Sequence, residues 1–310
     1  MATSANDMHS IKPIPAGAWD THCHIFETDK FPFSHNRHFT PSEATIEQLR
    51  QFHASIGVSN ACIAHGLAYG SDLQSLLAYL EQFEGKARGI CVLDTETVTD
   101  GFLDMCHAAG VRSVRLDLFK HQAMHDLDKQ IKLIESTANR LTQWGRGRWS
   151  IQLLQTHMEY WGRLREVVTK LPVPLVVDHL ALIPAQPAQK DGVDQPAVSA
   201  DFAELLGALR DGNLWIKFSA PYRCSDCHPS YPDLEHPIRL LASANPNRII
   251  WGSDWPHTQR HTDRVEKDRL IPEAYLKVDN QAWIQSLSRW LSDDEWRRMW
   301  VDNPRQLYDF

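Results

Sequence analysis

The stretch WDTHCHIF, residues 19–26, places two histidines, His22 and His24, at the end of a short segment that is predicted to be a buried strand. Side chains two positions apart in a β-strand lie on the same face, so a strand over Trp19–His24 presents both imidazoles together. Asp20 precedes them, and we expect it to point the other way, into helix packing or a hydrogen bond. The type of fold therefore depends on the strands and helices predicted along the rest of the chain.

Short runs rich in Val, Ile and Leu recur along the chain, and longer segments with apolar residues at three- and four-residue steps lie between them. The predicted strands are Trp19–His24, Ala61–His65, Gly89–Leu93, Ser113–Leu118, Ser150–Leu154, Leu175–His179, Leu214–Ser219 and Ile249–Ser253. The predicted helices are Ser42–Ser55, Asp72–Phe83, Asp128–Gln143, Met158–Thr169, Phe202–Arg210 and Pro237–Ala244.

Strands that are continuous apolar runs are typical of parallel sheets covered on both faces. Eight such strands alternating with helices predict a (β/α)₈ TIM barrel, with an open doubly wound sheet as the alternative. No G-x-G-x-x-G follows a predicted strand, which argues against a dinucleotide-binding sheet. We predict one barrel domain over residues 1–310, with an N-terminal extension (1–17), a rim loop (183–200) and closing helices (281–310).

Composition and charge limit the kinds of partner that are expected for this chain. The net charge of −7 comes without long runs of one sign, so a nucleic-acid partner is not indicated. No segment has the length or apolarity of a signal peptide or membrane span, so a cytoplasmic protein without a membrane partner is expected. The six scattered cysteines predict reduced thiols, including Cys224 and Cys227 in a C-x-x-C-H sequence. The sequence leaves a homodimer open.

Polar side chains stand at the ends of several predicted strands: His22, His24, Arg115, His179, Lys217 and Asp254. All strands of a barrel end at one rim, so these side chains are expected to converge. Three imidazoles and the carboxylate of Asp254 suit one zinc-like ion. Without an ion, the imidazoles can stabilise an oxyanion while the carboxylate accepts a proton from water. Both possibilities stay open.

Four motifs resemble the amidohydrolase superfamily, in its amidohydrolase-related branch: W-D-T-H-C-H, V-V-D-H, I-I-W-G-S-D-W-P-H and D-N-P-R-Q-L-Y. Within that branch the chain is most similar to the 2-pyrone-4,6-dicarboxylate lactonases and their sugar-lactone and muconolactone relatives. The resemblance implies a distorted barrel of amidohydrolase type and hydrolysis of a lactone, the reaction of a hydrolase acting on a carboxylic ester.

The same resemblance implies roles for individual residues. Asp254 matches the catalytic base that activates water, and His22, His24 and His179 match the strand-end histidines that polarise the carbonyl. These four would also be the ligands of a divalent cation such as Zn²⁺, if one is required. The predicted substrate-binding residues are Arg115, Arg223, Ser71, His257 and Lys217. Ser71 is equally suited to cap the following helix, and we favour the cap.

The sequence also departs from the family pattern. Gln152 and Leu154 stand where the wider superfamily has a fifth-strand histidine, and Arg115 stands in place of a carbamylated lysine, which argues against a two-metal site. Leu154 also replaces a tyrosine of the pyrone lactonases, and no arginine follows His179 closely. These changes imply a more apolar pocket and argue against the dicarboxylate pyrone itself as the substrate.

The predicted function is hydrolysis of a lactone of a carboxylated small molecule. Two alternatives from the same superfamily remain: a metal-dependent decarboxylase and a metal-free lactone isomerase. A barrel that only binds a ligand is the remaining alternative, and the combination of Asp254 with the histidines argues against it.

Overall fold

A computed structural model describes residues 11–186, 198–264 and 268–310. Its main sheet contains eight strands, which pair in chain order and run parallel. The strands are β1 (Trp19–Cys23), β2 (Asn60–Ala64), β3 (Ala87–Cys91), β4 (Val111–Arg115), β5 (Ser150–Leu153), β6 (Leu175–Val177), β7 (Leu214–Phe218) and β8 (Ile249–Trp251).

A helix follows each of the first seven strands, and further helices follow the last. The helices are α1 (Ile46–Ile56), α2 (Gln74–Gln82), α3 (Asp100–Ala108), α4 (Leu127–Trp144), α5 (Trp161–Val168), α6 (Ala200–Asp211), α7 (Glu235–Ala244), α8 (Asn280–Trp290), α9 (Asp293–Arg297) and α10 (Asn303–Tyr308), with a π-helical turn over Arg298–Asp302. Short 3₁₀ turns are Leu67–Tyr69, Met158–Tyr160, His179–Leu182, Pro221–Arg223, Pro232–Leu234, Pro246–Arg248 and His261–Arg264.

The ends of the sheet meet and close the barrel. Beyond β8, the backbone N–H of Asp254 donates to His22 O at 2.8 Å, and the N–H of His24 donates to Trp255 O at 2.8 Å. Gly252 permits this approach, since a Cβ at that position would lie 2.8 Å from the Cβ of His22. The predicted (β/α)₈ TIM barrel is therefore confirmed, and its closure places residues from both ends of the sequence side by side.

Local sequence accounts for the helix ends. Helix α1 begins after Thr45, whose Oγ1 accepts from the N–H of Gln48, while the Gln48 side chain accepts from the N–H of Thr45 in a capping box. It ends at Gly57, whose φ of 78° lies in the left-handed region that glycine adopts readily. The predicted start at Ser42 was too early because Ala44 pairs with Phe26 in an isolated bridge.

Helix α3 was not predicted from the sequence. Thr99 caps it by accepting from the N–H of Phe102 at 3.3 Å, but only Leu103 and Cys106 are buried on it. Two buried positions give too short an apolar pattern to indicate a helix. The eight strands were all predicted, with ends that differ by at most three residues.

The bulge in β1 decides the direction of Asp20. The pairing register between β1 and β2 shifts between Asp20 and Cys23, which separates the directions of Asp20 and His22. The buried Asp20 carboxylate accepts from His53 Nε2 at 3.1 Å, on α1, and from Ser253 Oγ at 2.5 Å. Its predicted place in a hydrogen bond and in helix packing is therefore confirmed.

Two loops meet over the rim beside the junction of β1 and β8. Thr40–Pro41 and Pro272–Glu273 form a short parallel pair, and Thr40 Oγ1 donates to Arg269 O at 2.7 Å. Most of the predicted 183–200 rim loop lies outside the described residues. In the described part of the chain, no helix has the length and apolarity needed to span a membrane.

Candidate active site

A cluster of three histidines surrounds one oxygen of Asp254 at the carboxyl end of the barrel. The Nε2 atoms of His22, His24 and His179 lie 3.5, 3.5 and 3.8 Å from Asp254 Oδ1. All four side chains are at least nine-tenths buried. The convergence predicted from the strand ends is therefore present: β1 supplies His22, the residue directly after that strand is His24, and the segments after β6 and β8 supply the third imidazole and the carboxylate.

Neighbouring groups fix how two of the imidazoles face the cluster. His24 Nδ1 lies 2.7 Å from Ala64 O, which can only accept, so Nδ1 donates to it and Nε2 is turned toward Asp254. His179 Nδ1 lies 2.9 Å from Ser219 Oγ, which holds that ring with its Nε2 toward Asp254.

The arrangement of His22, His24 and Asp254 fits a single cation. Buried His22 Nε2 has no hydrogen-bond partner among the described residues, although it points at Asp254 Oδ1. Tetrahedral zinc with bonds of about 2.0–2.1 Å separates its ligand atoms by about 3.4 Å, close to the 3.5–3.8 Å found between these nitrogens and the carboxylate. The ligand atoms of His22, His24 and Asp254 lie within 4.8 Å of one another.

The second oxygen of Asp254 is held by three donors. Tyr222 donates its hydroxyl to Oδ2 at 2.5 Å, and Arg223 donates from Nε at 3.2 Å and from Nη2 at 3.0 Å. Burial raises the pKa of Asp254, but the interactions with His179 and with the guanidinium of Arg223 outweigh burial and hold this pKa well below its usual value. Asp254 is therefore an oriented carboxylate, with Oδ2 occupied and Oδ1 turned to the histidines.

Burial keeps His22 and His179 neutral. Burial lowers the pKa of His22 well below its usual value, although the charge of Asp178 opposes this shift. Burial also lowers the pKa of His179 to about 4, although the charge of Asp254 opposes that shift. Neutral imidazoles offer lone pairs to a cation or hydrogen bonds to a substrate oxygen at pH 7.

A buried ionic layer lies beneath the cluster. Lys217 Nζ donates to Gln152 Oε1 at 2.6 Å and lies 3.1 Å from His22 Nδ1 and 3.6 Å from Asp178 Oδ1. Asp178 Oδ1 is also 3.1 Å from His22 Nδ1, while its Oδ2 accepts from Gln152 Nε2 at 3.0 Å. The layer holds the His22 ring from below, on the side opposite the cleft.

Left-handed backbone directs the strand-end residues into the cleft. His179 and Asp254 have φ values of 53° and 59°. Residues other than glycine occupy this region at a cost of order 1–3 kcal/mol, and such residues concentrate at functional sites. The chain turns sharply directly after β6 and β8, which aims both side chains across the barrel mouth.

The cleft above the cluster combines apolar and basic walls. It is lined by His24, Phe26, Phe39, Gly66, Leu67, Arg115, Leu154, His179, Arg223, Asp254, Thr258 and Arg264. Arg223 pairs with Asp254, and Arg264 pairs with Glu273. Arg115 has no ion pair or hydrogen bond from its guanidinium in the described part of the chain, and it remains available to a ligand.

The other predicted substrate-binding residues lie farther from the cleft. Ser71 is exposed and does not cap α2: the cap residue is Leu73, and Asp72 Oδ1 accepts from the Gln74 N–H, so the favoured cap was wrong. Lys217 is directed into the ionic layer. His257 is buried behind Asp254, where its Nε2 lies 3.1 Å from Asn280 Nδ2.

Three residues that support the cluster were not predicted from the sequence. Asp178 supports His22, Ser219 supports His179, and Tyr222 binds Asp254. Each is adjacent or close in sequence to a predicted residue, in V-V-D-H or in S-A-P-Y-R. Proximity in sequence was thus the only signal, because a local pattern does not reveal contacts between strands.

Comparison with known proteins shows a match to one protein family. The Amidohydrolase family model matches residues 19–310. A 2-pyrone-4,6-dicarboxylate hydrolase of Comamonas testosteroni is 30% identical over 305 residues, covering 95% of this chain and 91% of that protein. A 4-sulfomuconolactone hydrolase of Hydrogenophaga intermedia is 28% identical over 307 residues, covering 97% and 92%.

Two solved structures share the fold. An Agrobacterium tumefaciens protein in an apo form superposes with a TM-score of 0.72 at 21% identity, covering 96% of this chain and 97% of that one. An amidohydrolase of Burkholderia multivorans with bound zinc superposes with a TM-score of 0.63 at 16% identity, covering 95% and 100%. The family match spans every strand of the barrel, and the chain belongs to the amidohydrolase family.

Proposed function

We propose that this protein is a hydrolase that opens a lactone of a carboxylated small molecule. One observation carries the proposal: a buried, oriented carboxylate, Asp254, has its free oxygen facing three imidazoles at 3.5–3.8 Å at the base of a cleft. The similarity over nearly the whole chain to two hydrolases, one of which is named for a lactone, supports it.

Asp254 is the proposed general base. Ring opening requires a proton to leave the attacking water as it bonds to the carbonyl carbon, and Asp254 Oδ1 is the oxygen free to accept that proton. Tyr222 and Arg223 hold Oδ2, so they fix the plane of the carboxylate and keep it ionised. The same donors weaken it as a base, since a carboxylate with a low pKa binds a proton less readily.

The histidines are proposed to polarise the lactone carbonyl. His22, His24, His179 and Asp254 would hold a divalent cation such as Zn²⁺, and that ion would supply Lewis-acid polarisation of the carbonyl and a lower pKa for water. The ring orientation needed for either role comes from Ala64 O, Ser219 Oγ and the Asp178–Lys217 layer. The neutral imidazoles of His22 and His179 suit both roles.

Arg115 is the proposed anchor for the substrate carboxylate. Its guanidinium is the one lining the cleft that has no anionic partner in the described residues, and guanidinium groups bind carboxylates by paired hydrogen bonds. Arg223 was predicted to share this role, but its Nε and Nη2 already serve Asp254. We therefore propose Arg223 as the residue that positions the base and only secondarily as a substrate contact.

The test is a screen of aromatic-derived and sugar lactones with a pH indicator, on purified protein of measured metal content, with and without chelator. Release of one acid equivalent per lactone is the expected result. Acid release that chelation abolishes and zinc restores assigns the cation to the cluster. A new lactone without acid would instead assign an isomerase, release of CO₂ a decarboxylase, and turnover of none of the lactones would overturn the proposal.

A further inference from the structure

Two cavities of very different size adjoin each other at the rim. The cleft above Asp254 has a volume of about 40 Å³, which is room for about three water molecules. The neighbouring cavity, here called the rim cavity, has a volume of about 460 Å³. A lactone whose carbonyl lies at Asp254 therefore fills the cleft with little more than its reacting end.

Phe39 and Arg264 border both cavities. The guanidinium carbon of Arg264 lies 3.9 Å from the centre of the Phe39 ring, and Arg264 Nε donates to Glu273 at 2.9 Å. These contacts fix the position of the boundary. A ligand that extends out of the cleft past Phe39 and Arg264 enters the rim cavity.

The rim cavity has apolar walls and balanced charge. Phe39, Ile271, Pro272 and Ala274 supply apolar surface. Among the described residues, the charged groups that line it are two arginines and two carboxylates: Arg264, Arg269, Asp268 and Glu273. Because these charges cancel, the cavity offers no net attraction to a second anionic group, in contrast to the unpaired Arg115 in the cleft.

A histidine on the same wall is neutral. Burial lowers the pKa of His38, and the charge of Asp117 opposes this shift. The charges of Arg264 and Arg115 lower the pKa further. Its buried Nε2 has no hydrogen-bond partner in the described residues, and its ring packs against Phe119 with 4.2 Å between centres. His38 thus offers one neutral polar atom and an aromatic face.

We infer that the substrate is a lactone with a single carboxylate and an uncharged, mainly apolar substituent, and that this substituent binds in the rim cavity. The inference rests on the proposed lactonase function and specifies its substrate class. Arg115 binds the carboxylate, Asp254 faces the carbonyl, and Phe39 and Ile271 contact the substituent. Both relatives described above are named for substrates with more than one acidic group or with a sulfonate, so this chain would differ in specificity.

A series of γ-lactone carboxylates tests the inference, with hydrogen, methyl, propyl or phenyl at one ring position. A methylene that is fully buried contributes about fourfold in affinity, so propyl is expected to lower KM by roughly 15-fold relative to methyl. The kcat should change little, because binding of a remote group is equal in ground and transition states. A carboxymethyl substituent, which adds a second charge, should give no gain over hydrogen. A KM independent of the apolar substituents would overturn the inference.

A cavity-filling variant localises the effect. Ala274→Trp is expected to remove the gain in KM that propyl and phenyl give over hydrogen. Ala109→Trp is the matched control, since Ala109 is also exposed but follows α3 at the opposite end of the barrel. Equal effects of the two variants, or loss of the gain in the control alone, would contradict binding in the rim cavity.

Lactam analogues of the same series separate this inference from the proposed function. Calorimetric titration gives their Kd once an assay has shown that they are not hydrolysed. If no lactone is hydrolysed but the Kd still falls with apolar substituents, and Ala274→Trp removes that fall, the hydrolase proposal fails and the cavity assignment stands. If lactones are hydrolysed but the Kd of the lactams is independent of the substituent, the cavity assignment fails alone.

Discussion

Replacement of Asp254 by asparagine tests the central role of this carboxylate with little change in shape. The structure determines how the new amide is oriented. Arg223 can only donate to the Oδ2 position, so the amide oxygen must occupy it and accept from Arg223 and Tyr222. The amide NH₂ then replaces Oδ1, where it faces His22, His24 and His179. The variant thus places a donor where the base was.

The expected loss follows from that geometry. General-base removal costs about 10²–10⁴ in rate, equivalent to about 3–5 kcal/mol in the activation barrier. The stability loss should be smaller, about 1–3 kcal/mol, because Arg223 keeps the amide oxygen and both Thr258 oxygens as acceptors but loses the opposite charge. Activity is therefore expected to fall far more than folding.

The assay is kcat/KM on one lactone at pH 7, with near-UV circular dichroism to verify the fold. Asp293→Asn is the control, because that carboxylate is 94% exposed and pairs only weakly with Lys12; its activity should equal that of the unchanged protein. A folded Asp254→Asn protein with kcat/KM within tenfold of the unchanged protein would refute the assignment of Asp254 as the base.

Three further predictions concern the support of the cluster. Tyr222→Phe removes one charge-assisted hydrogen bond from Asp254 and should lower the free energy of unfolding by about 1.5–3 kcal/mol. It should reduce activity less than Asp254→Asn does. Urea unfolding and kcat/KM measure the two effects, and an activity loss larger than that of Asp254→Asn would argue against a supporting role. Gly252→Ala forces its Cβ to within 2.8 Å of the His22 Cβ and should lower stability by about 1–3 kcal/mol and kcat as well, measurable as a fall in Tm; unchanged values would contradict the close packing. The pKa of His179 is lowered to about 4, so the His179 side chain binds a proton in the unfolded chain at a higher pH than in the folded one. This residue should therefore lower the free energy of unfolding by about 3 kcal/mol as the pH drops from 6.5 to 4. Urea midpoints that stay constant over that range would contradict this prediction.

The sequence by itself determined the barrel and the core of the cluster. Eight apolar runs of strand length, separated by helical spacing, are local patterns, so each strand could be predicted without knowledge of its neighbours. The placement of His22, His24, His179 and Asp254 then followed from one rule of topology, that parallel strands of a barrel end at the same rim.

Only the tertiary structure decided how those residues are used. Left-handed turns after β6 and β8 aim His179 and Asp254 inward, and the burial of Lys217 directs it beneath His22 instead of toward the cleft. Arg223 was expected to bind substrate, yet it pairs with Asp254 because a buried carboxylate needs a compensating charge. The rim cavity depends on the pairing of residues 40–41 with 272–273, a contact between distant segments that no local pattern encodes.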